Sequence, residues 1–184
     1  MKSANTTSLP TRTLGKTGQK VPVFGLGTGE GGMGLDDADA VRLYQKAIDS
    51  GVTYIDTAPG YDNAQSQLAQ ALDGRRKDVF LATKVPTANG KAFADGLEEN
   101  LATLKTDYVD VAYIHAVGDQ DIEELLSQDG SLCELLRAKK RGLARFVGFT
   151  AHNRTGYAER ILNECSDLDV VMFAMNFVER NVYG

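Results

Sequence analysis

Four polar residues stand out by type and by place: Asp56, Tyr61, Lys84 and His115. Asp56 closes the run TYID, Lys84 lies in LATKV, and His115 closes VDVAYIH. Tyr61 follows Asp56 on the next loop. A phenol titrates near pH 10 and is a poor acid at neutral pH. An ammonium in contact with it favours the phenolate. A carboxylate beside that ammonium keeps it charged and in place, and an imidazole can hydrogen-bond a carbonyl oxygen. Such a set can protonate an oxygen while hydride arrives on the adjacent carbon, which is general-acid catalysis. No side chain supplies hydride, so the chemistry implies a nicotinamide cofactor. Taken singly, each residue has a plainer reading. Asp56 and Lys84 can form a structural ion pair, His115 can be a core histidine, and Tyr61 can be packing.

What positions these groups is a repeating pattern. Residues 12–22 read as a hairpin with a glycine-containing turn. Val23 to Leu26 is strand-like, and Asp36 or Asp37 can cap a helix carrying Val41, Tyr44, Ala47 and Ile48, ended by Gly51. TYIDTA follows as a strand, then a helix capped by Asn63 that stops at Gly74. Strands are expected at 79–85, 109–115, 144–150 and 168–176, with one or two helices between Ile122 and Leu136. Near-continuous apolar strands are covered on both faces, as in parallel sheets. Lys84, His115, Thr150 and Asn176 fall at successive strand ends. A barrel gathers such residues around one mouth, whereas an open doubly wound sheet spreads them along a line.

The stretch GLGTGEGGMG, residues 25–34, bears on that choice. Gly27 to Gly32 fits the dinucleotide fingerprint G-x-G-x-x-G, which alone is weak evidence. Several stretches together resemble the aldo-keto reductases. They are TLGKTGQKVPVFGLGTG, DSGVTYIDTAPGYDNAQSQLAQAL, LATKV, TDYVDVAYIH and RFVGFTAHN. The resemblance implies a (β/α)8 TIM-barrel-type α/β fold with an N-terminal β-hairpin. It implies NADP(H), or in some members NAD(H), as cofactor and a small-molecule carbonyl substrate. It puts Tyr61 at the general acid, Asp56 and Lys84 at the pair that tunes it, and His115 where the substrate carbonyl is oriented. Gly27, Thr28 and Gly29 then line the nicotinamide site with Asp56, and the Rossmann reading recedes. Where the family commonly has Ser-Asn after the fifth strand, this chain has Thr150-Ala151, followed by His152 and Asn153. The usual glutamine of the sixth strand is Met172.

Composition sets the remaining bounds. A net charge of −5 argues against a nucleic-acid partner. No apolar run of membrane-spanning length occurs, and the first residues have no apolar signal core, so a cytoplasmic location is expected, with an exported form whose signal has been removed as the alternative. Cys133 and Cys165 sit in no metal or redox spacing. Asp119, Asp121, Glu123 and Glu124 read as a helix N-terminal turn, and RAKKRG as a solvated helix end. Residues 1–11 read as a flexible tail and 12–184 as one partial barrel. A full barrel takes about 250 residues. The barrel is therefore expected to be truncated after its sixth strand, leaving room for a missing C-terminal portion or self-association. The alternative to a reductase is a non-catalytic barrel module that senses a nucleotide or docks a partner.

Overall fold

The structure, a computed structural model, describes residues 9–32 and 34–175. Strands β1 (Thr11–Thr13) and β2 (Lys20–Pro22) pair antiparallel, as the expected hairpin. Six further strands make one parallel sheet: β3 (Gly25–Gly27), β4 (Tyr54–Asp56), β5 (Phe80–Val85), β6 (Val109–Ile114), β7 (Ala144–Ala151) and β8 (Val170–Phe173). Between them run α1 (Asp37–Asp49), α2 (Ala64–Ala71), α3 (Gly90–Thr103), α4 (Ile122–Leu126), α5 (Ser131–Arg141) and α6 (Thr155–Glu164).

Each strand of the parallel sheet pairs with its neighbour in sequence, from β3 through β8. A doubly wound sheet reverses its order at a switch point. This sheet has no reversal, so its order is that of a barrel, with all carboxyl ends on one rim. The glycine loop confirms the distinction. Its helix starts only at Asp37, and the Asp36 carboxylate caps it by accepting the Asp39 N–H at 2.8 Å. A carboxylate there occupies the position a pyrophosphate would need. Gly31 and Gly32 serve packing instead. A Cβ at Gly31 would stand 2.5 Å from the Gly27 carbonyl, and one at Gly32 2.3 Å from the Tyr44 hydroxyl.

Period-two alternation divides the strand side chains between two apolar layers. Leu81, Val85, Ala112, Ile114, Val147 and Phe149 pack against the helices. Phe80, Ala82, Val111 and Tyr113 form the inner layer with Tyr54, Phe146, Val170 and Met172. Leu14 and Val21 of the hairpin region join that inner layer. Gly148 permits the β7–β8 pairing, since a Cβ there would lie 1.8 Å from the Val170 carbonyl oxygen.

Some boundaries differ from expectation. The first parallel strand starts at Gly25, because the Val23 N–H bonds the Pro10 carbonyl and prolongs the hairpin region. Asn63 precedes α2, but its side chain does not cap it. The amide donates to Asp37 instead. The stretch between Ile122 and Leu136 holds two helices, α4 and α5, parted by a loop ending in Gly130. Asp121 caps α4 through the N–H groups of Glu123 and Glu124, as the acidic run suggests. Asn176, most of the expected tail and the last residues of the chain lie outside the described residues. Among the described residues no helix is long and apolar enough to cross a membrane.

Candidate active site

Strand register brings the expected residues to one rim. Gly27 pairs with Asp56, Lys84 with Tyr113, and Thr150 with Met172. His115 follows the last residue of β6, and its N–H bonds the Val85 carbonyl at 3.0 Å. Asp56 is in step with inner-layer Tyr54, and Lys84 with Phe80 and Ala82. His115 is in step with Val111 and Tyr113, and Met172 itself belongs to that layer. Alternation thus aims four chain-distant groups inward.

Lys84 is the centre. Its ammonium donates to Asp56, to the Thr57 carbonyl at 3.1 Å and to the Tyr61 hydroxyl at 3.1 Å. Its side chain is only 2 % exposed, and that of Asp56 13 %. A buried ammonium is tolerable because all three of its donors are used. Burial pushes the Asp56 carboxyl above the usual carboxylate range, and the Lys84 ammonium pulls it back without cancelling the burial. The Tyr61 ring also lies against this cation, 4.6 Å from Nζ to the ring centroid. The loop after β3 approaches the same ring, where a Cβ at Gly29 would be in contact at 3.4 Å.

His115 meets Tyr61 edge-on, with centroids 6.2 Å apart and rings at 87°. Burial first, then the Lys84 ammonium and His152, push the imidazole down to about 4, with Asp119 opposing. It is therefore neutral near pH 7, with one N–H donor and one acceptor nitrogen. His152 stands 6.5 Å from it, an exposed ring at the edge of the same rim.

A cavity of about 420 Å³ lies between the hairpin-side residues Leu14, Val21 and Pro22 and the inner-face residues Gly27, Tyr54 and Met172, and it meets the group at Asp56. That volume is within the usual range for small-molecule sites. Three buried side-chain oxygens near these strand ends have no partner among the described residues: Thr28 Oγ1, Asp56 Oδ2 and Thr57 Oγ1. A Cβ at Gly27 would meet nothing within 4 Å. Buried polar atoms normally find hydrogen bonds, and of these three Asp56 Oδ2 belongs to a residue that lines the cavity.

Two expectations land elsewhere. The Ala151 side chain is buried in the helix-facing layer and offers only main-chain groups to the rim. Thr150 is inward, but its oxygen accepts the Ala116 N–H at 2.8 Å. Ala116 has φ of 51°, a left-handed conformation uncommon for alanine. Thr150 therefore secures the turn directly after His115 through one lone pair, leaving its O–H and its second lone pair.

Three features escape a reading of strand ends. Asp110, 2 % exposed, accepts from Arg76, Arg145 and the Leu81 N–H towards the opposite end of the sheet. Its signal is an acid inside an apolar run. Gln65 and Asn100 form a buried amide pair beneath Lys84. Their signal is an amide on the apolar face of a helix.

The model of the Aldo/keto reductase family matches residues 23–183. Over 138 residues the chain is 35 % identical to the methylglyoxal reductase DkgB of Yersinia pestis, covering 71 % of this chain and 48 % of that protein. A thermostable aldo-keto reductase, Tm1743, solved with the inhibitor epalrestat, superposes with a TM-score of 0.79 at 28 % identity, over 94 % of this chain and 65 % of that one. An aldo-keto reductase of Bombyx mori solved with NADP gives 0.74 at 21 %, over 91 % and 59 %, a likeness of fold. The TIM-barrel-type fold expected from the sequence is thus the fold observed. The chain spans about half the length of the curated relatives it matches.

Proposed function

Because this chain belongs to the aldo/keto reductase family, we propose that it carries the catalytic rim of a nicotinamide-dependent carbonyl reductase. The observation that supports this most is the Lys84 ammonium, which donates to Asp56 and to the Tyr61 hydroxyl at one inward-facing strand end. Tyr61 delivers its hydroxyl proton to the carbonyl oxygen of an aldehyde or ketone. Lys84 stabilises the phenolate left behind, at no reorganisation cost, since it is already in place. Asp56 and the Thr57 carbonyl hold that ammonium. The neutral imidazole of His115 donates an N–H to the same carbonyl oxygen and orients it.

A nicotinamide nucleotide, NADP(H) or NAD(H), supplies the hydride when bound. The residues present fit it. Thr28 and Asp56 offer unpartnered buried oxygens, and Gly27 leaves open space beside them. Gly29, the Thr150 hydroxyl and Met172 complete the proposed contacts, with Ala151 reduced to its main chain. The substrate is a small carbonyl compound, in keeping with a relative named for methylglyoxal.

A second reading, a non-catalytic nucleotide-sensing or partner-docking module, is favoured by one observation: the Thr150 oxygen and the Ala151 side chain are both engaged away from the rim. A panel of small aldehydes and ketones, offered to the full-length protein with NADPH and followed by loss of nicotinamide absorbance, separates the two. Turnover supports the reductase. Nucleotide binding without turnover on any carbonyl supports the module.

A further inference from the structure

Gln65 and Asn100 are buried amides that the proton-delivery scheme does not use. Asn100 is 1 % exposed and Gln65 6 %. The Gln65 amide on α2 donates to the Thr83 hydroxyl at 3.0 Å and to Asn100 Oδ1 at 3.0 Å. Asn100 on α3 then donates its own amide to the main-chain carbonyl of Lys84 at 3.0 Å. Around them the helix-facing layer is apolar, with Leu68, Leu97, Leu101 and Val85.

An apolar pair would fill that space at no polar cost. Burying amides is unfavourable unless every bond is made, and replacing both partners with apolar groups of like shape is often neutral. What the amide pair adds is direction. It ties two helices to the carbonyl of the residue whose side chain centres the rim. The Lys84 peptide is thereby fixed from the helix side, while its ammonium is fixed from the inner side by Asp56 and Tyr61.

We propose that Gln65 and Asn100 are positioning residues that set the reach of Lys84 Nζ between Asp56 and Tyr61. The inference rests on the reading of Lys84 and Tyr61 as the proton-delivering pair. It also makes a claim independent of turnover. The separation of Nζ from the phenol oxygen, 3.1 Å, depends on side chains that touch neither atom.

Two variants of the full-length protein test it. Asn100→Leu removes the donor to the Lys84 carbonyl. Gln65→Glu is nearly isosteric and, assayed at a pH where the new carboxyl is ionised, only accepts. Asn100 must then turn its amide nitrogen towards the new carboxylate, which puts its oxygen against the Lys84 carbonyl. Gln67→Leu is the control, an equally buried amide whose partners are Asp37 and Tyr44. A misplacement of about 1 Å at a catalytic group costs about 10²-fold. In both test variants kcat should fall by about that factor while KM for the carbonyl compound holds within about twofold. The alkaline limb of the kcat–pH profile should move to higher pH, and a crystal structure should show Nζ further from the phenol oxygen. The control should lose thermal stability alone. Should Asn100→Leu fail to fold, Gln65→Glu carries the same test. A parent without carbonyl turnover defeats the proposed function, yet a lengthened separation would still support positioning. An unchanged separation, or a kcat loss that follows only the unfolded fraction with the pH profile unmoved, overturns it.

Discussion

His115→Gln isolates one titrating group from the rest of the rim. The imidazole is half-buried and faces the Lys84 ammonium, His152 and Asp119. Its pKa falls from 6.5 to about 4, chiefly through burial. The folded protein therefore declines a proton that the unfolded chain accepts. Stability must drop as pH falls through the window from 6.5 to about 4, and this group adds no slope above it. Between pH 7 and pH 5, linkage with those two values gives about 1.8 kcal/mol. Partial contact of the ring with solvent reduces this to about 1 kcal/mol. Asp56 acts in the opposite sense, because its carboxyl is raised in the fold. It is present in both proteins and largely drops out of the comparison. Urea unfolding of the full-length parent and of His115→Gln at pH 7, 6 and 5 is the assay. The parent should lose about 1 kcal/mol more than the variant over that span. Parallel stability curves, or a variant that loses more, would refute a histidine held neutral by its surroundings.

Lys84→Met leaves burial to act on Asp56 without an opposing cation. The variant should lose about 3–5 kcal/mol at neutral pH and regain part of it as pH falls, since a raised carboxyl binds its proton more readily folded than unfolded. Melting curves at pH 8 and pH 5 check the sign, and kcat should drop by about 10²–10⁴-fold. Thr150→Val strands the Ala116 N–H and should cost about 1–3 kcal/mol in denaturant unfolding, whereas Thr150→Ser keeps the acceptor and most of the stability.

The strands were legible because a buried parallel strand is apolar on both faces. VFLATKV and VDVAYIH show this without any knowledge of their neighbours. The sheet's order was not written in any one stretch. It came from the polar residues at successive strand ends and from a resemblance spread over five motifs. Once register is known, inward placement of Asp56, Lys84, His115 and Met172 follows from alternation. The same alternation turns the Ala151 side chain outward, which a motif read as adjacent residues cannot show. Asn63 has the right type and place for a cap, yet Asp37 competes for its amide from a helix distant in sequence. Thr150 carries a hydroxyl suited to a ligand, but a left-handed alanine next to His115 takes one of its lone pairs. Gln65 and Asn100 were hidden for the opposite reason. Each is unremarkable inside its own helix and becomes informative only where the two helices meet β5.

The central claim is that the phenol of Tyr61, backed by Lys84, delivers the proton. Single-turnover carbonyl reduction by Tyr61→Phe, on full-length protein with nucleotide binding measured separately, tests it most directly. Nucleotide affinity should be unchanged, the fold should be retained at a melting temperature lowered by the loss of one of the three Lys84 partners, and the rate should fall by about 10²–10⁴-fold. A rate within about twofold of the parent would contradict it, because no general-acid contribution of the usual size would then be missing.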